Sequence, residues 1–172
     1  LTITNSDLTN NDVDGGAGTP NPGNGGALHI SGVTTTIISG GTASGNDARR
    51  EGGALWNQTG STMSVTNLTV DNNTASGPDA AHGGGGIFNN GGTLNLNNST
   101  LSNNISDGAL GNGGGLHVKT GTVNVMLTTF SGNTSANHGG GIYNNDMLFL
   151  NAVTIANNSA VSNGGGIANN ST

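Results

Sequence analysis

One short block of sequence returns six times along the chain, and this repetition limits the fold more than any other feature. Gly-Gly-(Gly/Ala)-(Leu/Ile) ends at Leu28, Leu55, Ile87, Leu116, Ile142 and Ile167, at intervals of 27, 32, 29, 26 and 25 residues. A second file of residues keeps step with it: Asn11, Asn46, Asn73, Asn104, Asn133 and Asn158. Each lies three residues after Leu8, Ala43, Val70, Leu101, Phe130 or Ile155, and five residues before those come Ile3, Ile38, Val65, Leu96, Val125 and Leu150. These spacings never vary. The gap from the Asn to the next block does vary, between 9 and 17 residues. Fixed spacing inside strands with variable loops is the signature of stacked coils, since an insertion can leave the stack without disturbing it.

Within each copy the apolar residues alternate with polar ones, as in Leu94/Leu96, Val123/Val125 and Leu148/Leu150. Period two means strand. Gly, Asn, Thr and Ser fill more than half of the chain, so helix formers are too sparse for a bundle and turn residues punctuate every short run. Three short strands and three turns per copy predict an all-β fold, a right-handed parallel β-helix (β-solenoid) of about six coils of 25–32 residues. With strands stacking about 4.8 Å apart the rod would be about 29 Å long. The whole of 1–172 reads as one β-helix segment, expected to belong to a longer chain or an end-to-end assembly because neither end offers a capping element.

Composition excludes several functions. Three basic residues against nine acidic ones give a net charge of −6, which argues against a nucleic-acid partner. No apolar run is long enough to span a membrane as a helix. Cys is absent, so no disulfide or thiolate metal site exists.

The Asn file is predicted to be a ladder. Asn tolerates turn geometry, and its amide can bond to the same Asn one coil above and below. The paired glycines (Gly84/Gly85, for example) mark bends that need positive φ or close backbone approach, not a phosphate loop.

The titratable residues offer little chemistry. The carboxylates Asp7, Asp12, Asp14, Asp47, Glu51, Asp71, Asp79, Asp107 and Asp146 fall mostly in the variable segments, and Asp71 has no acidic neighbour in its file. The paired or tripled carboxylates that glycoside hydrolysis requires are not evident. Asp12-Val13-Asp14-Gly15 resembles the start of a calcium loop but lacks the later ligands, and His29, His82, His117 and His138 have no metal-ligand spacing. No catalytic residue, cofactor or metal is assigned.

One file stands apart. Immediately after each inward Leu or Ile come His29, Trp56, Phe88, His117, Tyr143 and Ala168. Alternation points them outward as a surface stripe. Such rings could shield strand backbone by stacking on one another, contact a partner chain, or stack on sugar faces. As contact anchors, Trp56 and Tyr143 should be replaceable by Ala with the fold intact and a cost of about 1 kcal/mol.

Gly-Gly-Ala-Leu at 25–28 and 52–55, with Phe130-Ser131-Gly132-Asn133, resembles the GGA[ILV] and FxxN repeats of the chlamydial polymorphic outer-membrane proteins. The run 139–145 is also similar to repeats of large bacterial extracellular β-helix proteins. The resemblance implies a surface-exposed or secreted passenger, often adhesive, at the bacterial outer surface. The expected function is therefore a non-enzymatic, extracellular structural or adhesive β-solenoid, a unit of a surface fibre or adhesin. Self-association or flanking repeats, and a glycan or host-surface receptor, are the expected partners. The alternative is a carbohydrate-active β-helix enzyme, a polysaccharide lyase or hydrolase, or a glycan-binding module.

Overall fold

A computed structural model describes residues 1–14 and 23–171. Every strand pair in it is parallel, in one large sheet and one narrow sheet of two-residue strands. The chain is a parallel β-solenoid. Among the described residues no helix is long and apolar enough to cross a membrane.

The registers are those the repeat demands. Leu28, Leu55, Ile87, Leu116, Ile142 and Ile167 pair in succession. So do Ile3, Ile38, Val65, Leu96, Val125 and Leu150. The third file, Leu8, Ala43, Val70, Leu101, Phe130 and Ile155, includes the small Ala43 in its predicted place. The inner coils of these files are buried to 2 % exposure or less. A fourth wall, Ala48, Ala75, Ser106 and Ser135, is built of small residues, which lets the narrow sheet approach the core.

Polar columns close the corners. Asn46 Nδ2 donates to Asn73 Oδ1 at 2.8 Å, Asn73 to Asn104 at 2.8 Å, Asn104 to Asn133 at 2.9 Å and Asn133 to Asn158 at 2.9 Å. Each Oδ1 also accepts the preceding ladder residue's backbone N–H, and each Nδ2 also reaches a strand carbonyl of the coil before, as Asn104 does with Val70 O. The ladder is present as predicted, with one refinement. The left-handed residue at this corner is the one before the ladder Asn: Asn10, Gly45, Asn72, Asn103, Gly132 and Asn157 all have positive φ.

The two glycines of each pair do different work. Gly84 has φ +64, whereas a Cβ on Gly85 would lie 2.4 Å from Ile105 O and 2.5 Å from Gly114 O. The first glycine supplies the bend and the second the close stacking of coils.

Candidate functional site

The ring file forms, but not on the surface. Trp56, Phe88, His117 and Tyr143 pair in register as expected, yet they are 5 %, 0 %, 0 % and 9 % exposed. Only His29, at one end of the file, is exposed. This corrects the surface stripe inferred from alternation. Alternation fixes the side of the sheet on which a residue lies; it does not say whether a loop covers that side. Here the variable segments fold back across the file. The His82 carbonyl in the cover accepts from His117 Nδ1 at 3.1 Å. His138 stacks near Tyr143, with centroids 6.0 Å apart. Trp56 Nε1 donates to Glu51 Oε2 at 2.9 Å.

Within the file the rings touch as aromatic groups prefer. His29 lies flat on Trp56, centroids 4.2 Å apart and planes 7° apart. His117 meets Phe88 and Tyr143 edge to face at 4.7 and 5.0 Å. Burial holds the His117 imidazole neutral, its pKa pushed down to about 3, against the weaker pull of its bond to the His82 carbonyl. Its Nε2 has no hydrogen-bond partner, so it is the unprotonated nitrogen.

Where the file nears its exposed end, a polar groove of about 650 Å³ opens beside it. Its walls carry Glu51, His82, Arg50, Lys119, Asp79, Trp56, His29, Gln58 and Asn90. Arg50 Nη2 donates to His82 Nε2 at 2.7 Å. That bond requires a neutral imidazole. Burial, then the Arg50 charge, lower the His82 pKa, opposed by Glu51 and Asp79. The Glu51 carboxylate, 7 % exposed, lies 3.8 Å from His82 Nε2 through Oε1. Lys119 Nζ sits 5.9 Å from the centre of the Phe88 ring, a cation–π distance.

Two further groupings escape the linear sequence. A second Asn column, buried at Asn57, Asn89 and Asn144, follows the ring file: Asn57 Nδ2 donates to Asn89 Oδ1 at 2.8 Å, and Asn144 Nδ2 to the exposed Asn169 Oδ1 at 2.7 Å. The sequence signal was an Asn two residues after four of the six repeated Leu/Ile positions, interrupted by Ile30 and Val118. Asp12 and Asp47 are direct strand partners. Burial, then Asp12, Asp107 and Asp14, raise the Asp47 pKa. Asp12–Val13 is a strand, and the calcium-loop motif from Gly15 onward lies outside the described residues. Asp71 bonds Ser102 Oγ at 2.6 Å and Asn103 Nδ2 at 3.0 Å, a structural use. Among the described residues no group of three or more His or carboxylate side chains is placed to hold a metal ion.

These features define a class: a repeat-built parallel β-solenoid sealed by Asn ladders, with one flank covered by its own loops. Residues 127–145 match the model of the Chlamydia polymorphic membrane protein repeat. That stretch holds Phe130 and Asn133 of one coil and the Gly-Gly-Gly-Ile block ending at Ile142. Over this stretch the chain is similar to a repeat of that membrane-protein family. No curated protein and no solved structure matches the chain.

Proposed function

We propose that the chain is a non-enzymatic structural or adhesive rod of the bacterial outer surface, a unit of an adhesin passenger or surface fibre. The observation that carries this reading is the polymorphic membrane protein repeat at 127–145, seated in register within the solenoid. The conserved geometry of every coil serves stacking: apolar files inside, Asn ladders at the corners, glycine where coils approach. Specificity then falls to the loops that differ between coils, which are the segments covering the ring file.

Self-association belongs to the same proposal. Its support is the repeat itself: successive coils pair in parallel register along the chain, so a coil of another copy offers the same files of residues.

Beads coated with the protein should adhere to epithelial cells, and soluble protein should compete them off. Sedimentation velocity over a concentration series should show association. The enzymatic alternative predicts turnover of an acidic polysaccharide that Glu51→Gln abolishes; that result would overturn the reading, as would coated beads that adhere no better than uncoated ones.

A further inference from the structure

The strands that turn Val65, Leu96, Val125 and Leu150 into the core present a different face to solvent. Alternation sends the residues between these to the outside. Ile37, Ser64, Asn95, Asn124 and Phe149 form one outward file, each paired with the next along the stack. Beside it runs a second file, Ser39, Thr66, Asn97, Met126 and Asn151. Neither holds a charged residue. A recess of about 460 Å³ lies over these files between Ser64 and Phe149, and among the described residues no acidic, basic or His side chain lines it. That volume is within the range of small-ligand sites, roughly 300–1,000 Å³.

The occupant is narrowed by what the recess lacks and by what it offers. A charged ligand would give up hydration here and meet no opposite charge. An aliphatic chain would strand the amides of Asn95, Asn97, Asn124 and Asn151, which line the recess. Asn124 Nδ2 donates to Asn95 Oδ1 at 3.0 Å. An amide has further donors and lone pairs beyond one such bond, so the pair keeps both kinds of group for a ligand. Asn97 Oδ1 has no hydrogen-bond partner, and rotation of its amide offers that acceptor to the recess. Hydroxyl groups, which donate and accept, are the complement of such amides. Phe149 and Met126, 58 % and 41 % exposed, add apolar surface, and an exposed ring on a polar sheet suits the C–H face of a sugar. With rungs about 4.8 Å apart, the row from Ser64 to Phe149 is straight and about 14 Å long, the reach of a short oligosaccharide.

We propose that this recess binds a neutral, extended oligosaccharide lying along the stack. Its hydroxyls bond the amides of Asn95, Asn97 and Asn124, and one of its rings rests on Phe149. No covalent bond is made or broken. The site goes beyond the rod reading and does not depend on it: purified protein in solution tests the recess and coated beads test the rod, so either can fail alone.

Isothermal titration calorimetry with cellotetraose, a flat neutral chain, should show saturable binding with a Kd of about 1 mM or tighter. The affinity should be the same at low and high salt, since no ion pair contributes. Tetragalacturonate should bind weaker by roughly tenfold or more. Phe149→Ala and Asn124→Ala both alter exposed positions. Each should weaken cellotetraose binding by roughly fivefold or more, with thermal unfolding unchanged; should one variant misfold, the other decides. No saturable binding at millimolar cellotetraose overturns the proposal. So does equal affinity for tetragalacturonate, or unchanged affinity in the folded variants. Sedimentation supplies the last outcome: if Phe149→Ala abolishes association between copies while cellotetraose leaves it intact, the face is a contact between copies and the proposal fails.

Discussion

Thr36 occupies the inward file that continues as Met63, Leu94, Val123 and Leu148. It is fully buried, and its Oγ1 has no hydrogen-bond partner. A buried hydroxyl with no partner carries its desolvation cost uncompensated. Thr36→Val keeps the branched shape and removes the oxygen, so it should stabilise the protein by about 1 kcal/mol, read by chemical denaturation. Leu127 presents a different defect. At this corner the chain turns left-handed in every coil: φ is 46° at Asn5, 56° at Asn67, 45° at Asn98 and 51° at Leu127. An L-residue other than Asn or Gly resists that conformation by roughly 1–2 kcal/mol. The Leu127 side chain is 55 % exposed, so little packing opposes its removal. Leu127→Asn should raise the unfolding midpoint, by about 1 kcal/mol of stability; a lowered midpoint would show that the Leu side chain packs more than its exposure implies. The sequence marks the ladder corner with adjacent pairs such as Asn72-Asn73 and Asn103-Asn104, but not which Asn of each pair bends and which one bonds. That choice depends on the direction of the amide across coils, and no local propensity encodes it.

The ladder and the ring file are the elements on which a coil depends, and the sequence was informative about them unequally. Asn104 Nδ2 donates to Asn133 Oδ1 and Val70 O, while its Oδ1 accepts from Asn73 N and Nδ2. Asn104→Ala would strand several buried groups at once, at about 1–3 kcal/mol each, so it should cost more than 3 kcal/mol. Asn11, at the exposed end of the same ladder, should cost less when changed to Ala. Comparable losses at both positions would mean the ladder is not the stabilising feature. The ladder was legible because its signal is periodic: one residue type at one offset in all six copies. Burial of the ring file was not legible, because its cover comes from segments of different length and composition in each coil. The expectation that Trp56 can be removed at little cost therefore fails. Trp56 is packed under His29 and bonds a carboxylate that is itself buried. Trp56→Ala should cost about 3–5 kcal/mol by lost volume, with the unpaired Glu51 adding to it. Trp56→Phe should recover most of the packing but not the bond.

At the scale of the whole rod, the buried imidazoles tie stability to pH. The His117 pKa falls from its ordinary 6.5 to about 3 in the fold because burial penalises the charged ring. His82 is shifted the same way, by burial and Arg50. A base whose pKa is depressed on folding takes up its proton more readily when unfolded, so acid favours the unfolded chain. The His117 contribution is complete above about pH 6.5 and is lost as the pH falls from there towards about 3, at up to about 1.4 kcal/mol per pH unit; His82 acts in the same direction. Asp47 acts in the opposite sense. Its raised pKa means that the folded state gains its proton first, which favours folding as acid approaches the ordinary carboxylate value of 3.8. Raw acid denaturation therefore mixes the two effects, and a difference measurement separates them. His117→Phe keeps a ring between Phe88 and Tyr143 and abolishes the titration. At pH 7 it should be less stable by about 1 kcal/mol, having lost the donor to the His82 carbonyl. As the pH falls below 6.5 that deficit should shrink, and the variant should become the more stable protein before pH 4. Parallel stability curves for the two proteins between pH 7 and 4 would show that His117 is not held neutral by its burial.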